Sequence, residues 1–265
     1  MNAIKSTGLV SILTLAAGLL FCTPGAEAEE KKPTPQVGAE AQEKKPVPQV
    51  EQKQKKASTT VAAPVYKPPV RGAPGGRVGG GTRGADQTFM LSVLAPNHTG
   101  LTTKEQPVLY WYLTKTISTP MEFTLIDDGI KPLIETSMKP PFQAGVQRVR
   151  VEDFGVKLMP GKQYRWFVAL VVDPERRSKD VLAGGTIERS ALPEAAALKL
   201  SKADKSEAPL IYAETGLWYD AVAAITDLID AAPKDAALRA QRASLLRQVG
   251  LKEIAEYDLS LTPRE

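Results

Sequence analysis

Alternating apolar and polar residues mark the middle of the chain, from residue 86 to residue 191, and predict short β-strands. Phe89, Leu91 and Val93 are spaced two apart, as the buried face of a strand requires. Residues 108–113 are apolar on both faces, which is typical of a central strand. The further strand candidates are residues 121–126, 130–135, 147–151, 163–172 and 181–189.

About seven such strands, separated by turns rich in proline and glycine, predict an antiparallel β-sandwich over residues 86–191. Asp127-Asp128-Gly129 is a tight-turn sequence of the Asp-Gly type. Leu158-Met-Pro-Gly-Lys-Gln-Tyr164 resembles the tyrosine corner of fibronectin type III domains, in which a tyrosine hydroxyl bonds to the upstream backbone. The resemblance implies an immunoglobulin or fibronectin type III-like sandwich in which Tyr164 begins the next-to-last strand.

The pattern turns helical over residues 192–265. Gly216-Leu217 with Ala221 recurs 34 residues later as Gly250-Leu251 with Ala255. This spacing resembles roughly one and a half tetratricopeptide repeats, of which at least three are normally needed for a free-standing array. We therefore expect these helices to pack on the sandwich, or on themselves as a three-helix unit. A peptide-binding groove is the alternative.

Two further segments precede the predicted strands. Residues 29–70 contain a 13-residue repeat of Glu-Lys-Lys-Pro and too few apolar residues for a core, which predicts a disordered spacer rich in proline and lysine. Residues 71–85 are rich in glycine and arginine. They lack the Gly-Lys-Ser/Thr of a phosphate loop, and no strand precedes them, so a nucleotide site is not expected. We predict an arm that lies on the folded part with its arginines exposed.

Residues 1–28 have the features of a secretory signal peptide. Lys5 precedes an apolar stretch of 15 residues, and Ala26 and Ala28 are small residues suited to cleavage after Ala28. The apolar stretch is shorter than the roughly 20 residues that span a membrane, although an uncleaved anchor is the alternative. We therefore expect a periplasmic or secreted protein with no stable membrane span after cleavage. Cleavage would also remove Cys22, the only cysteine.

The formal net charge of +4 is unevenly distributed. Residues 29–84 carry a net charge of +6, whereas residues 85–265 carry −2. Any attraction to an anionic envelope polymer or membrane surface is thus expected of the spacer and the arm. No nucleic-acid partner is expected.

Catalytic and metal-binding residues are sparse. His98 is the only histidine and lies in a polar loop, where we expect a solvated turn residue, so neither a three-histidine zinc site nor a Ser-His-Asp triad is expected. Asp127 and Asp128, like Glu152 and Asp153, are neighbours whose side chains would point apart on a strand. These observations predict no cofactor and no metal. An enzyme whose carboxylate pair forms only in three dimensions is the alternative.

Two sets of residues are candidates for contact with a partner. The first is the charged loop after the long strand at 163–172, with Asp173, Glu175, Arg176 and Arg177. The second is a pair of aromatics, Tyr110 and Tyr112, which could be exposed and stack on a carbohydrate. The three tryptophans lie in apolar runs and are predicted to be core residues: Trp111, Trp166 and Trp218.

Several motifs in combination resemble a bacterial family, domain of unknown function 928, over roughly residues 66–251. The matching segments are Arg71-Gly-Ala-Pro, Gly79-Gly-Gly-Thr-Arg-Gly84, Pro107-Val-Leu-Tyr-Trp-Tyr112, Tyr164-Arg-Trp166, Gly185-Thr-Ile-Glu-Arg189 and Gly216-Leu-Trp-Tyr-Asp-Ala221. The resemblance implies an exported protein, and it brings no activity, substrate or catalytic residue.

These patterns together predict an exported, non-enzymatic envelope protein that acts as a protein–protein interaction or scaffold module. Its partner would be a protein or a cell-envelope polymer. The alternatives are a carbohydrate- or peptidoglycan-binding module and an envelope hydrolase with a carboxylate pair. This functional expectation rests partly on fold-level analogy.

Overall fold

The computed structural model describes residues 62–69, 76–81, 89–129 and 131–261. The predicted signal peptide and the spacer up to residue 61 lie outside these residues. Within them, nine strands and five α-helices are found. The strands are β1 (Gly80–Gly81), β2 (Met90–Val93), β3 (Gly100–Thr102), β4 (Val108–Leu113), β5 (Met121–Ile126), β6 (Ile134–Met138), β7 (Gly145–Arg150), β8 (Gln163–Leu170) and β9 (Val181–Arg189).

The strands form two sheets that contribute to one hydrophobic core. The first sheet has the order β1-β2-β4-β7, and the second has the order β3-β9-β8-β5-β6. All pairs are antiparallel except β3 with β9, which run parallel with Gly100 opposite Ile187. Buried residues alternate along β5, whereas Leu109 to Leu113 of β4 are all buried, as the apolar pattern predicts.

The loop between β5 and β6 differs from the predicted tight turn. A strand is predicted from residue 130, but β6 begins at Ile134. The carboxylate of Asp127 accepts a hydrogen bond from the backbone N–H of Gly129 over 2.7 Å. Lys162 Nζ lies 2.7 Å from the Asp127 carboxylate and 2.9 Å from that of Asp128. The aspartates therefore stabilise a longer loop through side-chain bonds, as Asx turns do.

The helices follow the sheets in the chain. They are α1 (Glu194–Leu200), α2 (Ala208–Glu214), α3 (Trp218–Ala231), α4 (Ala236–Gln248) and α5 (Lys252–Ser260). Gly216 and Gly250 follow α2 and α4 with φ of +82° and +78°, a conformation that glycine adopts without steric cost. Ala221 and Ala255 are fully buried.

Helix α2 begins after Glu207 and has Pro209 in its first turn, where proline is tolerated. The carboxylate of Asp235 accepts hydrogen bonds from the backbone at the start of α4.

The tryptophan prediction is confirmed, because Trp111, Trp166 and Trp218 are at most 1% exposed. Trp218 belongs to α3 yet lies in the same core as the sheet residues. The helices therefore pack on the sheets, and the coarse prediction of a β-rich part followed by helices is confirmed. None of the helices in the described part of the chain is long and apolar enough to cross a membrane.

The predicted disorder of the spacer is wrong for residues 62–69. Pro64 and Tyr66 are buried, and the backbone N–H of Lys67 donates to the carbonyl of Ala213 over 3.0 Å. The prediction that the arm's arginines are exposed is wrong for Arg77. Its guanidinium is half-buried and donates to the carbonyls of Ala95 and Val249. These contacts tie the segments before β1 to both sheets and helices.

Candidate functional site

Helix α3 is fixed to the sheets by three consecutive side chains. The Trp218 indole donates to the carbonyl of Leu94 over 2.8 Å. The hydroxyl of Tyr219 donates to the carbonyl of Thr186 over 3.1 Å. Asp220 accepts from Thr102. Each contact joins α3 to a different strand or strand end, so the start of this helix has one fixed position against the sheets.

Two glycines allow close packing around Tyr219 where α3 meets the sheets. A Cβ added to Gly100 would lie 2.6 Å from a ring carbon of Tyr219. A Cβ on Gly185 would lie 2.7 Å from Cβ of Ala95 and 3.4 Å from the Tyr219 hydroxyl. Real Cβ atoms essentially never approach within 3.0 Å, so both positions require glycine for close packing. The motif segments 185–189 and 216–221 therefore pack against each other, and we call this contact between the start of α3 and the sheets the seam.

A cleft of about 540 Å³ opens beside this seam, between helices α2 and α3 and the segments around β3 and β4. Its helical wall is largely apolar, with Tyr212, Ala223, Ala224 and Leu228. The opposite side includes Pro107 and Val108. Charged side chains of both signs complete the lining: Lys104, Arg150, Glu152, Lys205, Asp220 and Asp227.

Asp220 is the buried acid of the cleft. It is 4% exposed, and its carboxylate accepts hydrogen bonds from the Thr102 hydroxyl over 3.2 Å and the Thr103 N–H over 2.7 Å. Burial raises the pKa of Asp220 to about 6, because desolvation outweighs these bonds and the attraction of Lys104. A carboxyl that titrates near neutrality in a cleft is a candidate ligand-binding or acid–base group.

A second feature is a groove filled by residues 62–69, which we call the strap. The Tyr66 hydroxyl lies 2.9 Å from His98 Nε2, and its ring packs edge-on against Trp218 with centroids 5.0 Å apart. The side-chain amide of Gln248 accepts from the Tyr66 N–H over 2.8 Å and donates to the Pro64 carbonyl over 2.9 Å. The strap is therefore held as an extended peptide across helix ends.

The expectation for His98 is consequently wrong. It is half-buried and its ring stacks on that of Tyr66, with an interplanar angle of 11°. Burial lowers the pKa of His98, so the ring is neutral at neutral pH. Its role is contact with the strap, not solvation of a turn.

The predicted contact loop lies after β8, where its charges pair with one another. Arg176 Nε lies 2.6 Å from the Asp173 carboxylate. Arg177 bridges Asp180 and Glu122 at 2.7 and 2.5 Å. Glu175 is exposed, and its N–H donates to the Asp173 carboxylate. The four candidate residues therefore stand together in one loop at the second sheet.

The expected exposure of Tyr110 and Tyr112 is wrong, since each is only 2% exposed. Both belong to β4 in the first sheet, away from the charged loop of the second. Burial raises the pKa of Tyr110 to about 12, and the Arg148 guanidinium lies 5.9 Å from its ring centroid. Helix α3 also packs against β4. Neither ring offers a free face to a sugar.

Sequence reasoning missed Asp220, Tyr66 and Gln248. Asp220 was visible within Gly216-Leu-Trp-Tyr-Asp-Ala221, where the acid interrupts an otherwise apolar run. Tyr66 is the one aromatic residue in the proline- and lysine-rich segment 29–70. Among the described residues, no group of three or more His, Cys, Asp or Glu side chains is arranged to hold a metal ion.

Comparisons with known proteins identify a family. A search of the curated proteins found no match. Among solved structures, a multi-domain immunophilin from Arabidopsis thaliana matches with 8% identity over 73% of this chain and 98% of that chain. Its TM-score of 0.16 carries no argument about the fold. The model of the family described as Domain of Unknown Function (DUF928) matches residues 78–259, more than half of the chain. The chain therefore belongs to the Domain of Unknown Function (DUF928) family.

Proposed function

We propose that this chain is an exported, non-enzymatic envelope protein that acts as a protein interaction or scaffold module. The observation that carries the proposal is the cleft beside α3. Its volume of about 540 Å³ falls in the range of 300–1,000 Å³ that is usual for binding pockets. Apolar walls with a few charged groups of both signs suit a polypeptide segment, which carries both kinds of side chain.

The rigidity of the cleft supports this function. One wall is held against the sheets by hydrogen bonds that Trp218 and Tyr219 donate and by one that Asp220 accepts from Thr102. A preformed surface spends less free energy on ordering itself when a partner binds. The lining residues Lys104, Lys205 and Asp227 are exposed and available for charge pairing at the rim.

We further propose an immunoglobulin or fibronectin type III-like sandwich for the β-rich part. In such folds strands A, B and E form one sheet and strands G, F and C the other, an order that β2-β4-β7 and β9-β8-β5 would match. The Tyr164 hydroxyl accepts a hydrogen bond from the N–H of Met159 over 2.9 Å, as a tyrosine corner requires. The glycines at 216 and 250 support a partial tetratricopeptide-like arrangement of α2 to α5.

Export rests on the signal-like residues 1–28, with cleavage after Ala28 and a periplasmic or secreted location. Mass spectrometry of the protein recovered from its native host tests this directly. A mature N-terminus at Glu29 is expected. A retained Met1 would contradict cleavage and favour an anchored protein.

Site-specific photocrosslinking tests the cleft as the partner surface. A photoreactive residue at Ala224, in the cleft wall, should yield a discrete adduct in the native host. The control position is Leu198, which is 58% exposed on α1 and outside the cleft. Ala223→Trp should fill the cleft and suppress the adduct at position 224. Equal adducts at both positions, or no effect of the tryptophan, would exclude the cleft.

The carbohydrate-binding alternative loses its main support, because it relied on exposed rings at Tyr110 and Tyr112. A pull-down on cell-wall material, with and without residues 29–61, would separate binding by the basic spacer from binding by the folded part. Retention of the shortened protein would revive this alternative.

An envelope hydrolase is the second candidate function, and Asp220 favours it. This acid has a pKa of about 6 in a cleft, and Asp227 stands seven residues along the same helix, about 10 Å away along its axis. This axial rise lies just beyond the roughly 6.5–9.5 Å that separates the two carboxyl groups of an inverting pair, so the two side chains would have to lean toward each other. A broad hydrolase screen decides between the candidates: turnover that Asp220→Asn abolishes would overturn the non-enzymatic proposal.

A further inference from the structure

The strap occupies its groove as a peptide ligand would. Along residues 64 to 66 the exposure alternates, since Pro64 and Tyr66 are buried and Val65 is 61% exposed. Alternation of this kind is typical of an extended peptide whose every second side chain enters a pocket. The groove is built by residues from the loop before β3, the α2–α3 turn and the end of α4: His98, Ala213, Glu214, Gly216, Trp218 and Gln248.

The groove recognises the strap backbone in a way that is independent of sequence. The Gln248 amide brackets Val65, since it donates to the carbonyl before that residue and accepts from the N–H after it. Its nitrogen also donates to the Ser244 carbonyl over 3.1 Å, which orients the amide. The Ala213 carbonyl accepts from the Lys67 N–H. Three main-chain bonds therefore fix the register of any extended peptide in this position.

Side-chain recognition is concentrated at Tyr66. Its ring contacts Trp218 edge-on and His98 face-on, and its hydroxyl bonds to His98. Aromatic residues with a bonded hydroxyl are the usual anchors of binding hot spots. Lys67 adds an exposed ion pair with Glu214 at 3.1 Å. The groove therefore favours a peptide with the sequence proline, any residue, tyrosine and a basic residue, as in residues 64–67 of the strap.

The α2–α3 turn is shaped for close passage of a peptide backbone. A Cβ on Gly216 would lie 2.7 Å from the Lys67 carbonyl oxygen, so a larger residue would push the strap away. The positive φ of Gly216 also ends α2. The same glycine therefore terminates the helix and leaves space for the peptide backbone.

We propose that this groove is a docking site for a Pro-x-Tyr-Lys/Arg segment of another protein, and that the strap occupies it until such a segment displaces it. The strap buries two side chains, Pro64 and Tyr66, and makes three main-chain bonds, so its release exposes only the Tyr66 corner of the core and costs less than global unfolding. Tethering gives the strap an effective concentration on the order of millimolar, so a partner must match the groove well to compete. The site shares no residue with the cleft lining and stands independently of the function proposed above.

Peptide binding to a protein with an emptied groove tests this inference. Tyr66→Ala removes the strap's anchor, and a fluorescent peptide with the sequence of residues 62–69 should then bind with a saturable anisotropy change. A peptide with alanine in place of its tyrosine should bind at least about tenfold more weakly. A peptide with alanine in place of its valine is the matched control and should bind equally. Wild-type protein should bind the peptide more weakly than Tyr66→Ala, because its own strap competes.

A second experiment leaves every groove residue intact. A protease site in place of residues 71–75 allows the strap to be cut from the remainder after folding. The cut protein should release the fragment that carries the strap on dilution and then bind the fluorescent peptide. A fragment that never dissociates, or a cut protein that binds no peptide, would overturn the proposal. The wild-type protein could instead form a concentration-dependent dimer that the free peptide dissociates. That result would identify a second copy of this chain as the occupant of the groove and would overturn the proposal that the partner is another protein.

Discussion

The indole nitrogen of Trp166 donates a hydrogen bond over 2.9 Å to the hydroxyl of Tyr219, and this bond joins the second sheet to helix α3. Both side chains are at most 2% exposed, and the rings meet at 64° with centroids 6.4 Å apart. The hydroxyl in turn donates a hydrogen bond to the carbonyl of Thr186 over 3.1 Å. A single buried oxygen thus satisfies one donor and one acceptor of the sheet, which explains why sheet and helices form one structural unit.

Tyr219→Phe should destabilise the protein by roughly 1–3 kcal/mol, the usual cost of one unsatisfied buried group. The substitution keeps the ring, leaves the Trp166 N–H without its partner and removes one of the hydrogen bonds to the Thr186 carbonyl. Urea unfolding followed by tryptophan fluorescence measures the change. Tyr257→Phe is the matched control, because Tyr257 is 46% exposed, and it should change stability by less than about 0.5 kcal/mol. Equal effects of the two substitutions would contradict the proposed role of the Tyr219 hydroxyl.

Asp220 should make stability depend on pH in the direction opposite to that of most aspartates. Its pKa rises from 3.8 in the unfolded chain to about 6 in the folded protein, so the folded state binds the proton more tightly. The stability gained from this protonation is complete below about pH 4 and is lost as the pH rises through 6. The free energy of unfolding therefore falls by about 3 kcal/mol at most as the Asp220 carboxyl loses its proton.

Asp220→Asn isolates this contribution. The free energy of unfolding of the variant, minus that of the wild type, should increase between pH 4 and pH 7, because only the wild type loses its neutral carboxyl. A flat difference for Asp220→Asn would mean that the Asp220 carboxyl titrates as it does in water.

The helices contain one buried ion pair whose two halves should behave unequally when mutated. Arg242 donates two hydrogen bonds, of 2.9 and 2.6 Å, to the carboxylate of Asp258, and both residues are at most 2% exposed. Asp258→Leu should cost about 3–5 kcal/mol, since it leaves the guanidinium buried without its counter-charge. The double substitution Arg242→Met with Asp258→Leu should recover part of this loss, as measured by chemical unfolding, while Arg239, 3.7 Å from the Asp258 carboxylate, still loses its counter-charge. A double variant as unstable as the single one would refute this explanation.

The sequence was sufficient to predict those elements whose pattern is local. Residues 108–113 and 181–189 appear as β4 and β9 with the predicted bounds, since each is a continuous run with strong β-propensity. Residues 131–133 do not belong to a strand, because the side chains of Asp127 and Asp128 bond to the loop and to Lys162. The pattern of apolar and polar residues along the chain does not show such side-chain hydrogen bonds and ion pairs.

The candidate site depends on contacts between residues distant in the chain, and these were not predictable. Asp220 bonds to Thr102 across 118 positions, and Gln248 bonds to Tyr66 across 182. Neither pairing leaves a periodic signal. The burial of Tyr112 shows the same limit: alternation identifies a strand, but it does not show whether a helix covers the strand's outer face.

Gly185→Ala should destabilise the junction between the sheets and α3 by about 1–3 kcal/mol through overpacking. Its new Cβ would lie 2.7 Å from Cβ of Ala95, and φ at this position is not in the left-handed region, so the expected cost is steric and not conformational. Gly76→Ala is the control, because a Cβ there would meet nothing within 4 Å.

A double variant tests whether this clash is the cause. Ala95→Gly removes the atom that Gly185→Ala would meet, so the two substitutions together should be less destabilising than the sum of the single effects. Thermal or urea unfolding of the four proteins gives the coupling energy. Strict additivity would show that a backbone shift relieves the clash with Ala95. The steric cost of Gly185→Ala would then come from the next nearest atoms, which are Trp166 Nε1 at 3.3 Å and the Tyr219 hydroxyl at 3.4 Å. In that case Gly185→Ala should weaken the hydrogen bond between Trp166 and Tyr219, and Tyr219→Phe should be less destabilising in the Gly185→Ala protein than in the wild type.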